Sequence, residues 1–183
     1  QTLSLSPLKW VLMIAPLAFI FVFSMRMDRM SASSARTMFW AFAAVMGASM
    51  SSLLLVFTGG SVVQVFFITA AAFGSLSLWG YTTRRSLSGM GSFLMMGLIG
   101  IILASLVNIF FASSALQFAI SVLGVLIFAG LTAYDTQKIK EMYLYGGFDG
   151  EMAAKMSVNG ALTLYLDFIN MFQFLLSLIG DRR

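Results

Sequence analysis

Six long apolar stretches follow one another along the chain, at about residues 8–25, 37–57, 62–80, 92–111, 115–135 and 159–179. Each approaches the roughly 20 apolar residues that an α-helix needs to cross the hydrocarbon core of a bilayer. The polar residues among them follow no period of two, which argues against a membrane β-barrel. The pattern therefore predicts an all-α integral membrane protein with six spanning helices, forming a single helical-bundle domain over residues 1–183. The polar breaks at 58–61 and 112–114 are very short, so the helices they join should be antiparallel neighbours.

Composition strengthens this reading. Of 183 residues, 60% are hydrophobic and 10% charged, and mean hydropathy is +0.93. Soluble domains carry about 25% charged residues, so this chain cannot cover a water-facing surface. It has no cysteine and no histidine. Disulfides, thiol catalysis, thiolate or imidazole metal sites and histidine-based proton transfer are thereby excluded. No cofactor is expected. The chain starts at Gln1, and no charged segment with a small-residue cleavage site is visible there.

Charge then orients the spans. Arg26, Arg29 and Arg36 follow the first stretch, Arg84 and Arg85 the third, and Lys138, Lys140 and Lys155 the fifth. The intervening breaks carry no lysine or arginine. Basic loops mark the cytoplasmic side, which puts the start of the chain outside, despite Lys9. Six spans in this order leave Arg182 and Arg183 outside too, unless the last stretch stops short. Gly47, Ser51, Gly74, Gly97, Gly100, Gly124 and Gly130, with Ala70–Ala72, are read as packing positions, because close helix contacts in lipid use small residues. Trp10, Trp40, Tyr81 and Tyr134 lie near segment ends, as interfacial aromatics do. Gln64, Asn108, Gln117 and Gln173 are read as structural or interfacial.

Two carboxylates stand apart. Asp28, Glu141, Asp149, Glu151 and Asp181 fall in predicted loops or at the chain end. Asp135, in "FAGLTAYDTQKIKEMY", closes a long apolar run, and Asp167 sits inside "LTLYLDFINMF". An aspartate at the centre of a spanning helix costs about 2.5–3.5 kcal/mol on insertion scales and usually marks an ion or proton pathway. Counting about 1.5 Å per residue puts Asp135 roughly 5–8 Å and Asp167 roughly 10–15 Å inside the cytoplasmic boundary. The predicted helices run antiparallel, so the two can meet. Gly160, Thr163, Asp167 and Asn170 recur at spacings of three and four, a polar stripe that should line the bundle interior. Thr163 and Asn170 can hydrogen-bond a carboxylate. Two adjacent carboxyl groups in a low-dielectric site share a proton, or bind a hard cation such as calcium when both ionise. Arg26 is the arginine nearest in depth. The plainer alternatives stay open: Asp135 as an interfacial residue beside Lys138, and Asp167 as a structural hydrogen bond between helices.

These two stretches resemble the signatures of the Bax inhibitor-1 family, the transmembrane Bax inhibitor motif proteins, and the likeness extends from about residue 8 to 180. The resemblance implies a seven-helix bundle with the last helix central, of which this chain shows six, the family's first helix being absent. It implies a bacterial inner-membrane protein that leaks calcium, or exchanges it for protons, in response to pH. The sensor and gate would be the aspartate pair Asp135 and Asp167, with calcium bound transiently between them and Arg26 latching Asp135 in the closed state. Some bacterial relatives bind a membrane AAA protease. The competing expectation is therefore a regulatory protein that engages such a partner, its aspartates serving only the bundle. An enzyme is the weakest expectation, since no nucleophile–base pair can be assembled from these residues.

Overall fold

The computed structural model describes residues 31–51, 55, 57–147 and 150–181. All five helices described in it are α-helices: α1 (Ala32–Met50), α2 (Gly59–Thr82), α3 (Ser88–Phe111), α4 (Ser114–Tyr145) and α5 (Gly150–Ile179). Four of them, α2 to α5, are long and apolar enough to cross a membrane. The first predicted stretch, 8–25, lies outside the described residues. The second appears as α1, which starts five residues before the predicted stretch and ends seven before its end. With Arg36 and several serines it falls short of a spanning composition.

The chain divides into two compact units. In the one formed by residues 1–56 and 148–159, α1 buries Ala32, Ala35, Phe42 and Met46 along one helical face. Its start is built from side chains. Ser31 Oγ accepts from the Ser34 N–H at 3.1 Å, and the Glu151 carboxylate accepts from the Ala32 N–H. Both satisfy amide groups that a helix start leaves without partners. Glu151, expected in a loop, thus lies in the first turn of α5, where negative charge is also favoured by the helix dipole.

The other unit holds α2, α3, α4 and residues 160–179 of α5. Helices α3 and α4 are joined by Ala112 and Ser113, and Ala112 takes a left-handed conformation to close α3. Their antiparallel contact is a series of small-against-large pairs: Gly91 under the Tyr134 ring, Leu94 on Gly130, Ile127 on Gly97. Against α2, the contact is tighter. A Cβ on Gly80 would land on the Ala133 carbonyl oxygen, and Ser77 Oγ lies 2.9 Å from Thr136 Oγ1. Gly97, Gly124 and Gly130 pack as the sequence suggested, whereas Gly47, Gly74 and Gly100 face open space. The outer faces are strongly apolar, with Phe67, Phe93, Met96, Phe110 and Phe111 exposed, as a lipid-facing surface requires.

Two predicted boundaries move. The fifth apolar stretch was expected to end at Asp135, but α4 continues ten residues to Tyr145. The sixth was expected from 159, but α5 begins at Gly150. Lys138, Lys140, Glu141 and Lys155 are therefore helical rather than in a loop. Residues 136–145 contain neither glycine nor proline, so nothing local stops the helix when the apolar run does. The chain turns at Gly147 and Gly150, both at positive φ, where glycine adopts the geometry without steric cost.

Candidate functional site

The candidate site lies on the seam between α4 and residues 160–179 of α5. The two helices run antiparallel, and their contacts form a ladder. At one end the Ser121 hydroxyl donates to Ser177 Oγ at 3.2 Å. Next, Phe174 lies against Gly124, where a Cβ would come within 2.7 Å of the ring, and stacks on Phe128 at 5.9 Å. Met171 then packs with Phe128, Leu131 and Leu94 in a buried cluster. At the far end Ile139 lies on Gly160. Between the cluster and Gly160 come the two aspartates.

Asp167 is buried, 5% exposed, and its side chain is within hydrogen-bonding reach of the Asp135 side chain. Asp135 itself is half-buried. Among the described residues, Oδ2 of Asp167 has no other hydrogen-bond partner. A hydrogen bond between two carboxyl groups requires a proton on one of them. The surroundings are hydroxyl-rich on α4. Thr132 Oγ1 donates to the Phe128 carbonyl at 2.7 Å, and Thr136 Oγ1 donates to the Thr132 carbonyl at 2.7 Å. With its proton committed there, Thr136 receives the hydrogen bond from Ser77 on α2.

The remaining predicted members fare differently. Gly160 is buried against Ile139, giving the close approach expected of it. Thr163 is half-buried. Among the described residues, the Asn170 amide donates not to a carboxylate but to the Leu166 carbonyl at 2.7 Å, one turn back on its own helix. That partner is present in every helix, and a short amide side chain takes it readily. Arg26 lies outside the described residues. Asn108 and Gln117 are structural as expected, with Asn108 Oδ1 accepting from the Ser113 N–H at 2.9 Å and Nδ2 donating to Gln117 Oε1 at 3.4 Å.

One polar residue beside the pair was not weighed from sequence. Gln137, two positions from Asp135, is 7% exposed. Its carbonyl oxygen accepts from the Leu87 N–H at 2.7 Å, and its amide donates to the Arg85 carbonyl at 2.8 Å. It therefore ties α4 to the turn between α2 and α3. The signal in sequence was a polar residue one helical turn after Ala133, on the face that α2 packs against, but its partners lie some fifty positions away.

Four helices long and apolar enough to cross a bilayer, one of them carrying a buried aspartate, define a polytopic membrane protein. The chain belongs to the Bax inhibitor-1 family: the family model described as "Inhibitor of apoptosis-promoting Bax1" matches residues 1–183. Relatives include an uncharacterised protein of Rickettsia prowazekii, 50% identical over 94% of this chain and 73% of its own. Another, from Caulobacter vibrioides, is 51% identical over 97% of this chain and 71% of its own. The inner membrane protein YbhL of Escherichia coli is 48% identical over 94% of this chain and 74% of its own. This chain is accordingly a multi-pass protein of the bacterial inner membrane.

Proposed function

We propose that the protein is a proton-controlled cation leak, or calcium–proton exchanger, with Asp135 and Asp167 as its sensor and gate. The observation that carries this reading is the buried Asp167 carboxyl, within hydrogen-bonding reach of the Asp135 side chain and with no other hydrogen-bond partner for its Oδ2 among the described residues. A shared proton holds the pair together. Losing it places two like charges side by side in a low-dielectric seam, and they repel. Repulsion at this level separates α4 from α5 and opens the path between them. Carboxylate oxygens suit a hard cation, and calcium is the family expectation, but calcium takes six to eight oxygen ligands. Among the described residues no cluster of three or more acidic, cysteine or histidine groups gathers. Two carboxylates alone serve an ion in transit rather than a resident one. Arg26, at the end of the first apolar stretch, is assigned the latch on Asp135. No enzymatic step is proposed.

The test is calcium flux in liposomes containing the purified protein, measured across a pH series. Wild type should give pH-dependent flux, and Asp135→Asn and Asp167→Asn should each flatten that dependence. A pH response unchanged in both variants would remove the pair from the gate. An absence of flux, together with a stoichiometric partner recovered from native membranes, would favour the regulatory reading instead.

A further inference from the structure

The basic residues described in the second unit gather where α2 gives way to α3. Arg84 and Arg85 occupy the turn, and Lys138 and Lys140 lie on the stretch of α4 that the turn touches. This turn is pinned. Gln137 holds it through the Leu87 N–H and the Arg85 carbonyl. Lys140 Nζ donates to the Tyr81 carbonyl at 2.6 Å and lies 4.8 Å from the centre of the Tyr81 ring. Three hydrogen bonds thus fix the backbone carrying the two arginines to the helix carrying Lys138. The side chains themselves are not used in this clamp. Arg84, Arg85 and Lys138 are exposed, and the hydrogen bonds of Arg85 run through its backbone. Acid is sparse nearby: none occurs in residues 80–88, and residues 135–147 hold Glu141 and the half-buried Asp135.

The approach to the turn supplies the second half of the case. The last turns of α2 expose Leu78 (64%), then Trp79 (47%) and Tyr81 (55%), and the arginines follow. Apolar, then amphipathic aromatic, then cationic is the order in which a helix meets hydrocarbon, glycerol and headgroup on leaving a bilayer. The geometry points to a binding site for the anionic headgroup of a membrane phospholipid, its phosphate held by Arg84, Arg85 and Lys138, its glycerol region against Trp79 and Tyr81. The planar arginine forks match phosphate oxygens in pairs. Free phosphate would satisfy those forks, but it would leave the aromatic and apolar flank without a role. The reading of this site does not rest on ion flux.

The experiment uses the full chain in neutral-detergent micelles doped with phosphatidylglycerol or phosphatidylcholine. Native mass spectrometry reads the lipid retained, and thermal melting reads the stabilisation. Wild type should retain phosphatidylglycerol preferentially and melt higher with it, and added salt should erode that preference. Replacing Arg84, Arg85 and Lys138 by glutamine should weaken retention by about fivefold per charge removed. These side chains are exposed, so melting without lipid should stay at the wild-type value. Lys138→Gln alone gives a milder check should the triple variant be poorly folded. Arg84→Lys with Arg85→Lys should keep part of the preference, since charge remains but the fork is lost. Equal retention of the two lipids by wild type, or undiminished retention by folded variants, overturns the proposal. Equal stabilisation by inorganic phosphate assigns the cluster to a free anion instead and overturns it as well.

Discussion

Asp167 was legible because a charge inside an apolar run has no cheap explanation, and its burial follows from that. Its cost follows too. An unpartnered buried polar atom destabilises a fold by about 1–3 kcal/mol, and replacing both members of a buried polar pair by apolar residues is often neutral or stabilising. Asp135→Leu combined with Asp167→Leu should therefore melt at or above the wild-type temperature while losing the pH response of flux, a separation that thermal melting and the flux assay together would register. A lower melting point in a folded variant would mean that the pair stabilises the bundle. Gly80 shows the reverse case. Nothing in "LWGYTT" marks this glycine, yet a methyl group there meets the Ala133 backbone, which cannot rotate away. Gly80→Ala should cost about 1–3 kcal/mol, the range for overpacking a tight contact, whereas Gly74→Ala, facing open space, should leave melting nearly unchanged. Asn170 shows what spacing leaves open, since its amide donates to the Leu166 carbonyl. Sharing a helical face with Asp167 does not prevent an amide from bonding its own backbone.

At the level of helices, the apolar pattern located α2 and α3 within a few residues, because there the hydrophobic run and the helix coincide. It missed the end of α4 and the start of α5 because hydropathy measures where lipid ends, while a helix continues until a glycine or a competing bond stops it. Tyr145 is followed by Gly146 and Gly147, and that is where α4 ends. The pinning of the α2–α3 turn by Gln137 was not legible, since it joins residues fifty positions apart. It makes a definite prediction. Gln137→Leu leaves the Leu87 N–H and the Arg85 carbonyl without their partner, and should cost about 1–3 kcal/mol. Hydrogen exchange would show faster exchange at Leu87, with α2 and α3 themselves still protected. Uniform loss of protection across the unit would contradict the local role given to this residue.

For the molecule as a whole, the basic residues that orient the chain can be read directly, because these 183 residues contain no cysteine. Single cysteines at Arg84 and Lys138 should react with an impermeant maleimide only from the cytoplasmic side, and one at Ser113 only from the outside. Cysteines at Phe93 or Phe110 should resist labelling from both. Reaction of Arg84→Cys from outside would invert the topology. The ladder along α4 and α5 bears also on how the protein enters the membrane. The two helices are consecutive, joined by a few residues, and each brings one aspartate to the same rung. Released singly from a ribosome, either helix would expose its carboxyl group to lipid at the full insertion cost. Delivered as a hairpin, each hides the other's. Biogenesis should thus favour joint partitioning. In a translocon assay α4 and α5 should insert less completely alone than when fused in their native order, and exchanging both aspartates for leucine should abolish that advantage.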